Sequence, residues 1–331
     1  MIAKLSLLLV LALPACVAAQ TLPQQLQSLA PGQWLSYEVP LQSGLRAPCC
    51  FDWKQGDVRR AGCSLERDNR NFGHSDDDPP PPPGAALRVL LRRGDRDFDR
   101  VLAVGTQCAV DPGNAIVRDA GAVEPDASIA LLSPGLEQRP RKSRHHLLSA
   151  VAHHASPRAD VVLQDASAPG RGDDLRRDAV FWLAQARGVL GFRHVRDLIE
   201  RETDDDLLRH EVFALSISDV PEAVSELRRL ALGHSAEKVR AEAIFWLAQE
   251  EDAQTEAIAR QMLEREPSRH LRDKAVFALS QLPPKRAIPA LRQLIESPGP
   301  RDVRKQAIFW LAQVDDEAVL PVFDQLLGDG R

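Results

Sequence analysis

The chain has 331 residues, 44% of them apolar and 27% charged. That is enough material for two ordinary domains with a sizeable core, and too much charge for a polytopic membrane protein. The formal net charge of −5, made more negative if a leader containing Lys4 is removed, gives no electrostatic reason to expect nucleic acid or an anionic membrane as partner.

Residues 1–19 read as a signal peptide. Lys4 supplies the positive start, Leu5–Ala12 a short apolar run, and Val17-Ala18-Ala19 the small residues that a signal peptidase needs, leaving Gln20 as the new N-terminus. The run is too short to span a bilayer, so the mature chain is expected to carry no integral membrane segment and to be periplasmic or secreted. The alternative is a lipoprotein anchored through Cys16, because Leu13-Pro14-Ala15-Cys16 is similar to a lipoprotein processing site; Pro14 fits that pattern poorly.

Residues 20–135 are expected to form a small β-rich domain. Trp34–Val39 alternates with period two, Cys50–Trp53 and Gly62–Leu65 are short strand candidates, and Leu87–Arg92, Gly94-Asp95 and Phe98–Val104 read as a hairpin. Asp76–Asp78 followed by Pro79–Pro83 reads as a solvated, polyproline-like loop. With Cys16 gone, Cys49, Cys50, Cys63 and Cys108 remain, an even number that suggests two disulfides in an oxidising compartment. Adjacent cysteines rarely bridge each other, so Cys49 and Cys50 each pair with Cys63 or Cys108, in an order the spacing leaves open. Four thiols can also hold zinc, but the usual two-residue gap between ligands is absent. Residues 133–143 read as the linker into the C-terminal half.

From residue 141 to 331 the chain repeats. Phe181, Phe213, Phe245, Phe277 and Phe309 stand 32 residues apart in the strings AVFWLAQ, EVFALSI, AIFWLAQ, AVFALSQ and AIFWLAQ. A sixth, divergent copy lies upstream at Leu148–His153. The residue after each Phe alternates as Trp182, Ala214, Trp246, Ala278, Trp310, a second period of 64. Such self-similarity marks a tandem array. Each unit is expected to hold two helices. The first carries the Phe string with an Arg five residues earlier (Arg176, Arg240, Arg272, Arg304). The second shows apolar residues at i, i+3 and i+4, as in Val195/Leu198/Ile199 and Leu291/Leu294/Ile295. Alternating Trp and Ala lets a large side chain on one helix face a small one on the next. The less apolar first unit reads as a terminal cap. The chain stops four residues after Leu327, so no C-terminal cap is expected and that end reads as exposed or as an association surface.

The strings VRKQAIFWLAQ and LRDKAVFALSQ resemble HEAT repeats of the short type found in phycocyanobilin-lyase-like proteins, and those of exported bacterial HEAT-repeat proteins of unassigned function. The resemblance implies a mostly α fold, an α-solenoid of six two-helix repeats, and a non-enzymatic scaffold or adaptor that binds a protein or peptide. It implies no cofactor. The alternative is a metal- or tetrapyrrole-dependent enzyme related to HEAT-type hydroxylases or phycobilin lyases.

On a helical wheel centred on Ala307, Phe309 lies about 200° away and Gln313 about 240°. Phe181, Phe213, Phe245, Phe277 and Phe309, with Gln185, Gln249, Gln281 and Gln313, are therefore the candidate partner-binding strip; the competing reading wedges each Phe between adjacent first helices as core. Glu211 stands where the other units have Ala179, Ala243, Ala275 and Ala307. A carboxylate there needs a partner, and Arg176 or Arg240 is the expected one. Hydroxylases of the HEAT type hold two irons through several His-Glu pairs, whereas this chain has only His210-Glu211. His145, His146, His153 and His154 read as polar residues on a solvated cap helix rather than as a weak metal site. No catalytic set and no metal site is expected.

Overall fold

A computed structural model of the chain describes residues 20–54, 57–67, 72–73, 85–250, 252–265 and 268–328. The expected leader, with Cys16, and the Asp76–Pro83 loop lie outside the described residues.

The N-terminal part runs α1 (Leu22–Gln27), β1 (Trp34–Pro40), β2 (Cys49–Lys54), β3 (Asp57–Ala61), β4 (Cys63–Ser64), β5 (Phe72–Gly73), β6 (Ala86–Arg93), β7 (Phe98–Gly105), β8 (Val110–Asp111), β9 (Val117–Ala122) and α2 (Pro125–Leu132). The expected hairpin is β6–β7, in register from Leu87 opposite Gly105 to Arg92 opposite Arg100. The main sheet has the order β7-β6-β1-β9, with β9 parallel to β1. Strand alternation sorts its side chains onto two faces. Leu35, Tyr37, Val39, Leu87, Val89 and Leu91 enter a core shared with the helices. Trp34, Leu90, Leu102 and Val104 enter a second core, built around the cysteines. The disulfides are Cys49–Cys108 and Cys50–Cys63, which settles the order left open by the spacing.

Six helix pairs come next among the described residues: α3 (Arg141–His153) with α4 (Pro157–Ser167), α5 (Asp173–Ala186) with α6 (Gly188–Ile199), α7 (Asp205–Ser216) with α8 (Glu222–Gly233), α9 (Glu237–Gln249) with α10 (Thr255–Arg265), α11 (Arg269–Ser280) with α12 (Pro284–Glu296), and α13 (Arg301–Leu311) with α14 (Val319–Gly328). First helices pack on first helices along the row from α3 to α13, and second helices lie in a layer beside them. The Ala at the stripe centre, fully buried at 179, 243, 275 and 307, lets neighbouring backbones approach closely. Local chemistry fixes the starts. The Asp204 carboxylate accepts from the amides of Asp206 and Leu207 at 2.9 and 3.0 Å, and the Ser268 hydroxyl caps α11. Only Arg187 separates α5 from α6. The tight joint needs Gly188 at φ 50° and Gly191, where a Cβ would meet the Leu183 carbonyl oxygen at 1.8 Å.

The first unit is not a free cap. Strand β7 and the 3-10 turn Leu136–Gln138 pack on α3, and Leu41 bridges to His154. His153 and His154 are consequently buried, against the expectation of a solvated helix. His154 Nδ1 donates to the Ala150 carbonyl at 2.6 Å, its Nε2 accepts from Ser128 Oγ at 2.7 Å, and the Tyr37 hydroxyl meets the same Ser128 oxygen at 2.8 Å. Burial, reinforced by the Arg187 cation against the Ala150 bond, pushes the His154 imidazole down to about 4. Burial raises the Tyr37 phenol well above its ordinary value.

Candidate partner-binding face

The candidate residues converge on one face of the first-helix row. Phe181, Phe213, Phe245 and Phe277 are half-buried, and Phe309 is 53% exposed. Gln249 at the end of α9, and Gln281 and Gln313 just beyond the ends of α11 and α13, are exposed, and Gln185 within α5 is half-buried. Each ring packs against its neighbour and still shows an edge to solvent.

The rings make one ladder with a two-unit period. Each Trp reaches back onto the preceding, Ala-bearing unit. Trp246 lies 5.0 Å from Phe213 and Trp310 5.0 Å from Phe277, while Trp182 meets His145 and His153 at 5.2 and 5.6 Å. Two of the three Phe of Trp-bearing units stack forward, Phe181 on Phe213 at 6.4 Å and Phe245 on Phe277 at 5.5 Å. Within a unit, Phe and Trp are edge-to-face at about 5 Å. His145, 6.0 Å from Phe181, extends the ladder into the first unit. The 32-residue register misses it, because Ser149 holds the Phe position there.

Charges along this face are largely matched. Arg177 binds Asp174, Arg209 binds Asp206, Lys238 binds Asp205 at 3.3 Å, and Lys274 sits over the Phe245 ring at 5.2 Å. Beneath them Arg144 meets Asp178 in a buried ion pair at 3.3 Å, and Arg272 meets Asp302 in a half-buried one at 2.6 Å. Arg176, one of the two partners expected for Glu211, lies 3.9 Å from it but binds Glu202 directly.

Two open hollows lie off the ladder. One, of about 420 Å³, is lined by Leu136, Val161, Val162, Asp165 and Arg171. The other, of about 600 Å³, is lined by Leu263, Leu294, Pro298, Pro300 and Val303. Neither gathers a set of acid and base groups. Among the described residues no group of three or more His, Cys, Asp or Glu is placed to hold a metal ion, and no helix is long and apolar enough to cross a membrane.

Stacked helical hairpins with a regular face define an α-solenoid. Residues 256–331, which contain both LRDKAVFALSQ and VRKQAIFWLAQ, match the family of HEAT repeats, as the resemblance of those strings implies. No curated protein matches the chain. Among solved structures, YibA of Escherichia coli is 22% identical at a TM-score of 0.35, the match covering 52% of this chain and 65% of that one. The CpcE–CpcF complex of phycocyanin lyase from Nostoc sp. PCC7120 is 16% identical at a TM-score of 0.36, covering 47% and 99%. Human deoxyhypusine hydroxylase is 15% identical at 0.27, covering 62% and 92%. None of these likenesses carries a functional inference.

Proposed function

We propose that this protein is a non-enzymatic scaffold or adaptor of the bacterial periplasm or cell envelope, and that a protein or peptide partner docks along the Phe/Gln strip. The observation that carries the reading is the ladder itself: a run of aromatic edges, open to solvent and bordered by the exposed amides of Gln249, Gln281 and Gln313. Aromatic edges beside amides suit an amphipathic contact surface. Two disulfides are compatible with an extracytoplasmic place. An affinity pull-down from envelope extract tests the strip. Phe309→Asp, at an exposed ring, is expected to lose the partner with an unchanged melting temperature, whereas Phe245→Asp, at a half-buried ring, is expected to lower the melting temperature as well. Retention of the same partner by Phe309→Asp and by Gln249→Ala/Gln281→Ala would overturn the assignment. Stoichiometric iron or zinc in untagged protein would favour the rival enzyme.

A further inference from the structure

The contact between the second and third units differs from the others. At the stripe centre of α7 stands Glu211, 1% exposed, in a place that sister units fill with Ala. Among the described residues its Oε2 has no hydrogen-bond partner, and its Oε1 is 3.9 Å from Arg176 Nη2. That guanidinium is already committed. It binds the Glu202 carboxylate, and its Nε donates to the Ser167 carbonyl at 3.4 Å. Glu202 is anchored as an anion, since it also accepts from the amides of Thr203 and Asp204 at 2.7 and 2.9 Å. Two carboxylates thus share one cation, and the deeper one is left over.

The other charged groups around α7 face elsewhere. On α6, Arg196 turns to Asp197 and His194 to Ser167. On α8, Arg228 turns to Asp252, and Arg229 to Glu226 and Glu200. On α9, Lys238 turns to Asp205, Glu242 accepts from Trp246 Nε1, and Arg240 donates to the His234 and Ser235 carbonyls. On α5, Arg177 turns to Asp174, and Asp178 to Arg144 and His145. On α7 itself, Arg209 turns to Asp206, and His210 Nε2 bonds the Arg177 carbonyl. The ring ladder is also widest at this seam, 6.4 Å between Phe181 and Phe213 against 5.0 to 5.5 Å at the later unit contacts.

We propose that the α5–α7 seam is a pH-responsive hinge, held closed while Glu211 keeps its proton and loosened when it loses it. An anion at this depth, whose nearest cation is committed to Glu202, is relieved only when water reaches it, which requires the two first helices to part. Parting breaks the Phe181–Phe213 stack and divides the ladder. That consequence for partner binding rests on the docking function proposed above, but the hinge itself does not.

Burial first, then the neighbouring Glu202, raise Glu211 to about 8 against the pull of Arg176. A raised acid favours the closed state below the ordinary carboxylate range and loses that advantage as pH rises through its own value. Hydrogen–deuterium exchange on the full chain at pH 6 and pH 9, corrected for intrinsic rates, reads the opening directly. The opening equilibrium of α5 and α7 is expected to rise about a hundredfold between the two. The α9–α11 seam, with Ala275 at the same position, is expected to stay level. Glu211→Gln removes the rise. Glu202→Gln shrinks it, because Arg176 is then left to Glu211 alone. A level α5–α7 seam in the wild type, an equal rise at α9–α11, or a rise that persists in Glu211→Gln would each overturn the hinge.

Discussion

Arg187 uses all five of its N–H groups inside the protein. Its Nε and Nη2 grip the Asp160 carboxylate at 2.6 and 3.0 Å, and the remaining protons go to the carbonyls of Ala152, His154 and Ser156, each at 3.0 Å. The side chain is 3% exposed. It ties the joint between α5 and α6 to the turn between α3 and α4, so one residue holds two units in register. Replacing it with Ala strands a buried anion and three carbonyls. Arg187→Ala is therefore expected to cost about 3–5 kcal/mol in urea denaturation, because breaking one half of a buried pair exposes the other half's desolvation. Lysine keeps the charge but loses the fork, and Arg187→Lys should recover less than half of that loss. A loss below about 1 kcal/mol for the Ala variant would contradict this account.

At the scale of the helix, the alternation of Trp and Ala sets how units interlock. Trp246 and Trp310 fill space over the preceding unit, which carries Ala214 or Ala278 at the matching place, both fully buried. Ala278→Trp repeats a residue found in both flanking units, yet it drives an indole into a closed contact. It is expected to destabilise by at least about 1–3 kcal/mol, read as a lower urea midpoint. Equal stability would show that the alternation is incidental. This much was legible in the sequence, because 32 residues of self-similarity fix register without any three-dimensional information. The Phe and Gln positions followed from the same register. What the register does not contain is direction: that Trp reaches back and Phe reaches forward depends on ring orientation across two helices. Glu211 announced itself by breaking the pattern, but its contest with Glu202 did not, since Glu202 lies in a connection outside the repeat string. Strand β9 and helices α1 and α2 were missed because six to eight residues accumulate too little periodicity. The buried Ser128–His154 bond joins residues 26 apart, one from each part of the chain, and no local pattern carries it.

Across the whole molecule, the β7-β6-β1-β9 sheet is the element that both parts share. One face belongs to the core that runs from α1 to α14, and the other belongs to the disulfide-stapled segment. The first face seals the end of the solenoid, as the buried His153 and His154 attest. The two sides should therefore respond differently to reduction. Each disulfide restrains the unfolded chain, by about 3 kcal/mol for the Cys50–Cys63 separation of 13 and about 4 kcal/mol for the Cys49–Cys108 separation of 59. The sum is smaller than the two figures suggest, because the shorter loop lies inside the longer one. Strands β4 and β8, two residues each, have little else to hold them and pack around the cysteines, Trp34 and Leu65. Reduction is expected to release amide protection in β4 and β8 and to shift the emission of Trp34, while the helices from α5 to α14 keep theirs and the far-ultraviolet helical signal holds. The sheet's other face, anchored by Leu35, Tyr37, Val39 and Val89 against helices, gives the reason. If reduction instead raised exchange throughout the helices, the stapled side would be part of the solenoid's own stability rather than a layer fastened onto its end. If β4 and β8 exchanged no faster, their cohesion would have to come from packing that the buried residues around them do not supply.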